Sequence, residues 1–236
     1  MASLRLLRGD KLLKERKFNP AFVRPADSFL LTSRDASARL NLVAESLFYP
    51  TWLSWRKEEV GSFGELEKIS AGYRLKPAGL YFRRPGAISL RAPADAGLSK
   101  AVALYRCEDG KASYLGNDRH GGGEWISGET RTAGVFALFR DREPPVLRPL
   151  FQEGESFAQT RPLLEAELKD GGSGLDYKSL TVTLDERKVI AEYKPFQNTV
   201  SFRPLENLSS GCHCFGVTVS DRAGNENSFL KTFKIK

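Results

Sequence analysis

An all-β chain of tandem β-sandwiches is what this sequence predicts, on three observations. Short stretches of apolar–polar alternation recur along most of its length, as in Leu164, Ala166 and Leu168 set between Glu165, Glu167 and Lys169. Turn-forming clusters punctuate them, the plainest being Asp170-Gly171-Gly172-Ser173-Gly174-Leu175-Asp176 and Asp221-Arg222-Ala223-Gly224-Asn225. Finally, Asp141-Arg142-Glu143-Pro144-Pro145 cuts the chain after the apolar run Val135-Phe136-Ala137-Leu138-Phe139. Two prolines cannot donate to a sheet ladder. The break sets domains at 1–142 and 143–236.

In chain order, Leu4 to Lys17 allows an amphipathic helix, although Leu6, Leu7, Leu12 and Leu13 make a weak helical face, or an extended arm. Residues 28–48 read as strands, with Ala38, Leu40 and Leu42 alternating, and they end in the aromatic cluster Tyr49-Pro50-Thr51-Trp52-Leu53-Ser54-Trp55. These strands are expected to complete a sandwich with a core of about 28–142. Its later strands run through Tyr73 to Phe82, Ile88 and Leu90, Val102 and Leu104, and Trp125 and Ile126. Asp118 to Gly123, with three successive glycines, reads as a mobile loop.

After the break, Val146-Leu147 opens a second module. Leu180, Val182 and Leu184 alternate, and Asp185-Glu186-Arg187 turns the chain into Val189 to Tyr193. Val200 and Phe202 follow. Then His213, Phe215, Val217 and Val219 share a face, and Phe229, Phe233 and Ile235 point inward. About seven strands at this spacing predict an immunoglobulin-like sandwich.

Hydrophobic residues at 41% with 28% charged residues are ordinary for a globular protein, and no run approaches a membrane span. The start, Met1 to Asp10, meets charge too early for a signal-peptide core. That leaves a cytoplasmic protein, or one whose signal and upstream region have been removed. The second is the expectation, Met1-Ala2-Ser3 being compatible with a cloning start. The net charge of +7 comes from scattered residues, and Lys14-Glu15-Arg16-Lys17 and Arg83-Arg84 are too short to define a groove. A basic surface suited to an anionic envelope is expected rather than nucleic-acid binding.

Catalytic and metal chemistry find little support. The chain has two histidines, His120 and His213, far apart in sequence, and no phosphate-binding glycine loop. Cys212 and Cys214 flank His213, but in a strand they face away from it, so the three cannot converge on one ion. The same geometry leaves the two thiols outward and not bonded to each other. His213 is expected inward, as a neutral imidazole with one satisfied nitrogen. Asp170, Asp176, Asp185 and Asp221 have the oxygen chemistry calcium prefers, yet their spacing fits no known calcium loop. Asp and Asn in such turns bond their own backbone. No metal or cofactor is expected. Tyr49, Trp52, Trp55, Tyr81, Trp125 and Tyr193 suit either a core or a stacking platform for sugar or peptide. The nominated binding residues are Trp52, Trp55 and Trp125.

Asp170-Gly171-Gly172-Ser173-Gly174-Leu175-Asp176, Leu184-Asp185, Leu208-Ser209-Ser210-Gly211-Cys212-His213 and Asp221-Arg222-Ala223-Gly224-Asn225 resemble bacterial immunoglobulin-like repeats of envelope proteins. In those repeats an Asp/Gly/Ser turn leads through a Gly-x-His strand to an Asp-x-Ala-Gly-Asn hairpin. The resemblance covers about 144–236, and Glu186 stands where the repeats often have Gly. The stretch from Leu75-Lys76-Pro77-Ala78-Gly79-Leu80 to Gly134 and on to Asp141 is similar to a region preceding such repeats. The tandem resembles the non-catalytic C-terminal region of lysostaphin-type zinc endopeptidases. Their catalytic half needs a His/Asp pair and a His-x-His strand, so no catalytic residue carries over. The resemblance implies a non-catalytic accessory region in the periplasm or cell envelope. It would position a peptidoglycan-acting endopeptidase or a partner at the cell wall. A glycan- or peptide-binding module is the alternative.

Overall fold

The computed structural model describes residues 2–8, 11–18, 20–94, 96 and 99–236, with side chains from residue 20 onward. The chain divides into two compact units, Met1–Asp141 and Arg142–Lys236. Both are antiparallel β-sandwiches, and the fold is all-β.

In the first unit β1 (Ala2–Arg8) and β2 (Lys11–Phe18) pair antiparallel as a ribbon. A ribbon thus stands where the sequence allowed a helix, Leu6, Leu7, Leu12 and Leu13 making only a weak helical face. Those leucine side chains, like the side chains of the basic run at 14–17, lie outside what the structure describes. The sandwich follows as β3 (Ala21–Val23), β4 (Phe29–Thr32), β5 (Ala38–Leu42), β6 (Thr51–Glu58), β7 (Glu67–Lys68) and β8 (Gly72–Lys76). Then come β9 (Tyr81–Arg91), β10 (Val102–Glu108), β11 (Lys111–Gly116), β12 (Asp118–His120), β13 (Trp125–Thr132) and β14 (Val135–Arg140). One sheet runs β11-β10-β14-β8-β6-β3, with β7 added to β14, and the other β12-β13-β9-β5-β4.

Alternation explains the core between the sheets. Leu40, Leu53, Leu75, Ile88, Leu90, Leu104, Ile126, Phe136 and Leu138 are fully buried there. The unbroken apolar run of β14 reflects burial on both faces, as such runs do. On its outer side Phe139 and Tyr105 pack under Leu66, with the Phe63 ring 5.5 Å from that of Phe139. Where β11 of one sheet meets β13 of the other, glycines permit the approach. A Cβ on Gly128 would sit 2.7 Å from the Leu115 carbonyl carbon, and one on Gly116 2.9 Å from the Ser127 carbonyl oxygen.

The expected loop at 118–123 is ordered. β12 pairs with β13, His120 opposite Trp125, and only Gly121–Gly123 forms a 3-10 turn. Arg119 fixes it by donating to the Val102 carbonyl at 2.8 Å, a contact no local pattern announces.

The second unit contains nine strands rather than seven: β15 (Val146–Pro149), β16 (Glu155–Phe157), β17 (Leu164–Lys169), β18 (Leu175–Leu184), β19 (Arg187–Val189), β20 (Glu192–Lys194), β21 (Thr199–Phe202), β22 (Gly211–Asp221) and β23 (Glu226–Ile235). Its sheets are β15-β17-β21-β20 and β16-β23-β22-β18-β19. Two differences make up the count. The stretch Val189 to Tyr193 changes sheets between β19 and β20, and the short β16 lies parallel to β23. Leu164, Ala166, Leu168, Val200, Phe215 and Phe233 fill the core, closed by Val217, Val219 and Ile235.

Aspartates staple its turns. Asp170 Oδ2 accepts the amides of Gly172 and Gly174 at 3.0 and 2.6 Å. Asp221 accepts the Asn225 amide at 2.8 Å and its side-chain Nδ2 at 2.7 Å. These are the self-bonding turn geometries such residues favour. Asp185 and Glu186 turn β18 into β19 with φ of 49° and 65°, the left-handed pair of a tight hairpin. No helix among the described residues is long and apolar enough to cross a membrane.

Candidate functional site

The three nominated tryptophans occupy three different surroundings. Odd and even positions of β6 face opposite ways, so Trp52 and Trp55 part company. Trp55 points inward beside Leu53, edge-on to Phe136 at 6.1 Å, and its Nε1–H donates to the Leu31 carbonyl at 3.2 Å. Trp52 points outward and is 61% exposed. Its cross-strand neighbour is Phe22 of β3, 45% exposed, with ring centroids 5.1 Å apart. Trp125 lies on the other sheet and is buried beneath two guanidiniums, with Arg39 Cζ 3.8 Å and Arg91 Cζ 5.3 Å from its ring. Arg91 is itself held by Glu124 at 2.9 Å. The structure therefore does not gather the three into one platform.

What it does gather, around Trp55, is a polar cluster. The turn between β4 and β5 places Asp35 at one end of the sandwich, where its carboxylate accepts four hydrogen bonds. Oδ1 takes the Ser33 hydroxyl at 2.7 Å and the Ser37 amide at 3.3 Å. Oδ2 takes the Tyr73 hydroxyl at 2.8 Å and the Lys57 ammonium at 3.1 Å. Partial burial acts to raise this carboxyl's pKa, but the bonds from Ser33, Tyr73, Lys57 and Ser37 outweigh it and hold it at about 2. Burial, then the Asp35 bond, raises the Tyr73 phenol, and the Asp35 bond raises Lys57. Ser33, Arg34, Asp35, Trp55, Lys57 and Tyr73 line an open hollow of about 340 Å³. A carboxylate so low in pKa and so fully engaged is a poor proton acceptor at neutral pH. The hollow offers recognition instead: aromatic walls, with the cationic Arg34 and Lys57 at the rim.

Sequence reasoning missed Phe22, Asp35, Lys57 and Tyr73. The short apolar run Ala21-Phe22-Val23 marks a strand but does not say which side chain faces out. Asp35 bonds partners 22 and 38 residues away, which leaves no local trace. Tyr49 and Tyr81 are exposed rather than core, and Tyr193 sits half-buried against Tyr177 with ring centroids 4.9 Å apart.

Each histidine has its own partner. His120 Nε2 lies 2.5 Å from Ser127 Oγ at the exposed edge of the first unit. His213 is buried in the second, as its alternation requires, but both of its nitrogens have a partner rather than the one expected. Nδ1 faces Asp185 Oδ2 at 2.8 Å and Nε2 faces the Ser209 carbonyl at 2.9 Å. Cys212 and Cys214 are free thiols on the opposite side of β22, Cys212 exposed and Cys214 half-buried. Burial pushes the third thiol, Cys107, up to about 12 and makes it unreactive. Carboxylate oxygens of Asp170 and Asp221 come within 4.8 Å of each other, and both residues already serve their own turns.

No known family matches the chain, and no curated protein does. Among solved structures, an endo-β-1,4-mannanase from Thermotoga petrophila aligns over 40% of this chain at 14% identity and a TM-score of 0.33. The aligned part is 20% of the mannanase, so the chain spans about a fifth of that enzyme. CopC from Methylosinus trichosporium OB3b aligns over 39% of this chain and 94% of its own at 12% identity and a TM-score of 0.31.

Proposed function

We propose that this chain is a non-catalytic accessory region of a bacterial cell-envelope protein, working in the periplasm or at the cell envelope. In this reading it holds a peptidoglycan-acting endopeptidase, or another envelope partner, at the cell wall. The observation that carries the binding part is the outward Trp52–Phe22 pair. What supports binding is that the Trp52 ring, 61% exposed, sits against an exposed Phe22 ring in register, a contiguous aromatic patch of the kind that anchors a partner. The envelope and peptidase parts rest on the resemblance of residues 144–236 to envelope immunoglobulin-like repeats.

The test is cosedimentation with purified peptidoglycan. The wild-type chain is expected in the pellet, and the double variant Phe22→Ala/Trp52→Ala in the supernatant. A wild-type chain that stays soluble with peptidoglycan and retains no envelope protein from a pull-down would end the reading. A glycan- or peptide-binding module is the second reading, favoured by the Trp55–Tyr73 hollow with its cationic rim. A glycan and peptide array distinguishes the two, since Arg34→Ala should then abolish binding while Trp52→Ala leaves it intact.

A further inference from the structure

Both ring nitrogens of His213 face acceptors, a carboxylate oxygen at Nδ1 and a backbone carbonyl at Nε2. A neutral imidazole has one N–H and presents a lone pair at its other nitrogen, whereas the imidazolium donates from both. The neutral ring can satisfy one of these oxygens only by turning its lone pair on the other. Because the bond to the charged Asp185 is the stronger, the neutral ring keeps Asp185 and loses Ser209.

We propose that His213 is a proton-operated clasp of the C-terminal unit: protonated, it ties both the Asp185–Glu186 turn and the 203–210 segment to β22, and neutral, it lets the Ser209 end of that segment go. The two attachments differ in what else holds them. Asp185 remains anchored through its Oδ1 to the Cys214 amide and its own amide to the Cys214 carbonyl, each at 2.8 Å. The segment's other bonds run from Leu208, Asn207, Pro204 and Arg203 to Thr160 and Arg161, and beyond Ser209 the Ser210 hydroxyl donates to the Lys236 carbonyl at 3.3 Å.

The surroundings supply one countercharge. From the turn comes Asp185, backed by Arg187 at the start of β19, which helps keep that carboxyl ionised. From β23 comes Phe233, uncharged and stacked on the imidazole at 5.5 Å. The 203–210 segment contributes the Ser209 carbonyl alone. Burial pulls the ring's pKa down, but the bonds from Asp185 and Ser209 and the charge of Asp185 leave it above the ordinary 6.5. A group raised on folding contributes its full stability below its unfolded value and loses it as pH rises through the folded one. The clasp is therefore closed in mildly acidic solution and opens on the alkaline side.

NMR titration of the full chain between about pH 5 and pH 9 tests this. Both imidazole nitrogens should be protonated at about pH 6, with a midpoint above the ordinary ~6.5. The Ser209 carbonyl-carbon resonance should shift through that same midpoint, as its hydrogen bond from Nε2 is lost. Asp185→Asn should lower the midpoint, and His213→Gln should leave the Ser209 carbonyl resonance independent of pH. A ring that is a single neutral tautomer at about pH 6, or a Ser209 carbonyl indifferent to its titration, overturns the proposal. Should His213→Gln fail to fold, the midpoint in Asp185→Asn decides alone, an unchanged value counting against the clasp.

Discussion

The two sandwiches solve one problem, holding paired sheets over an apolar core, and differ in how far their turn aspartates reach. In the C-terminal unit the aspartates act close to home: Asp170 and Asp221 bond amides two to four residues on. In the N-terminal unit Asp35 reaches across to Lys57 and Tyr73, Arg119 reaches back to Val102, and Gly116 and Gly128 let two sheets touch. Local staples are written as turn motifs. Long-range ties are single residues that mean nothing until the chain has folded. His213 crosses the divide, because its motif neighbours are local while Asp185 lies 28 residues away.

The sharpest break of the comparison is Gly128→Ala. Its Cβ would press into the backbone of Leu115, which cannot rotate away, so the N-terminal unit should lose about 2–3 kcal/mol. All three tryptophans lie in that unit, so denaturation followed by tryptophan fluorescence reads it selectively. An unchanged midpoint would show that the sheets can part at this edge. His213→Ala should cost the C-terminal unit about 1–3 kcal/mol, from lost packing on Phe233 and two stranded acceptors. Residues 143–236 expressed alone should unfold cooperatively and report that loss by circular dichroism. Failure to unfold cooperatively would remove the claim that the unit's staples are self-sufficient.

Acidity separates the units less than alkalinity does. Asp35 is held at about 2, so the stability it brings is present above its unfolded value near ~3.9 and drains away as pH falls towards 2. Asp35→Asn should flatten that acid limb in tryptophan fluorescence. The Asp185 carboxyl is likewise held low, so acid reaches both units, while the stability His213 brings to the C-terminal unit should fade as pH rises above the ordinary imidazole value of 6.5.

Smaller effects sharpen the local side. Glu186 adopts φ of 65°, a conformation that costs a side chain and not a glycine. Glu186→Gly should therefore stabilise the C-terminal unit by about 0.5–1 kcal/mol in urea titration. Asp185 tolerates its own φ of 49° because His213 and Cys214 hold its carboxylate. Trp52→Ala should change stability least, within about 0.5 kcal/mol, because the ring is exposed. If it instead destabilises the N-terminal unit strongly, the Trp52–Phe22 pair serves the fold and the binding reading loses its main support.

Residue alternation by itself determined the all-β class and the inward faces of β5, β17, β22 and β23. Turn chemistry marked the Asp170 turn and the Asp221 hairpin, because a period of two and a self-bonding aspartate are properties of neighbours in sequence. Tertiary structure alone decided the rest. It split Val189 to Tyr193 between two sheets, made a paired strand of Asp118–His120, and sent Trp52 outward, Trp55 inward and Trp125 beneath two arginines. It also joined Asp35 to Tyr73 across 38 residues. The reason is physical: a strand's pattern says which residues share a face, but which face meets water, which edge finds a partner and which distant donor reaches a carboxylate depend on how the sheets close.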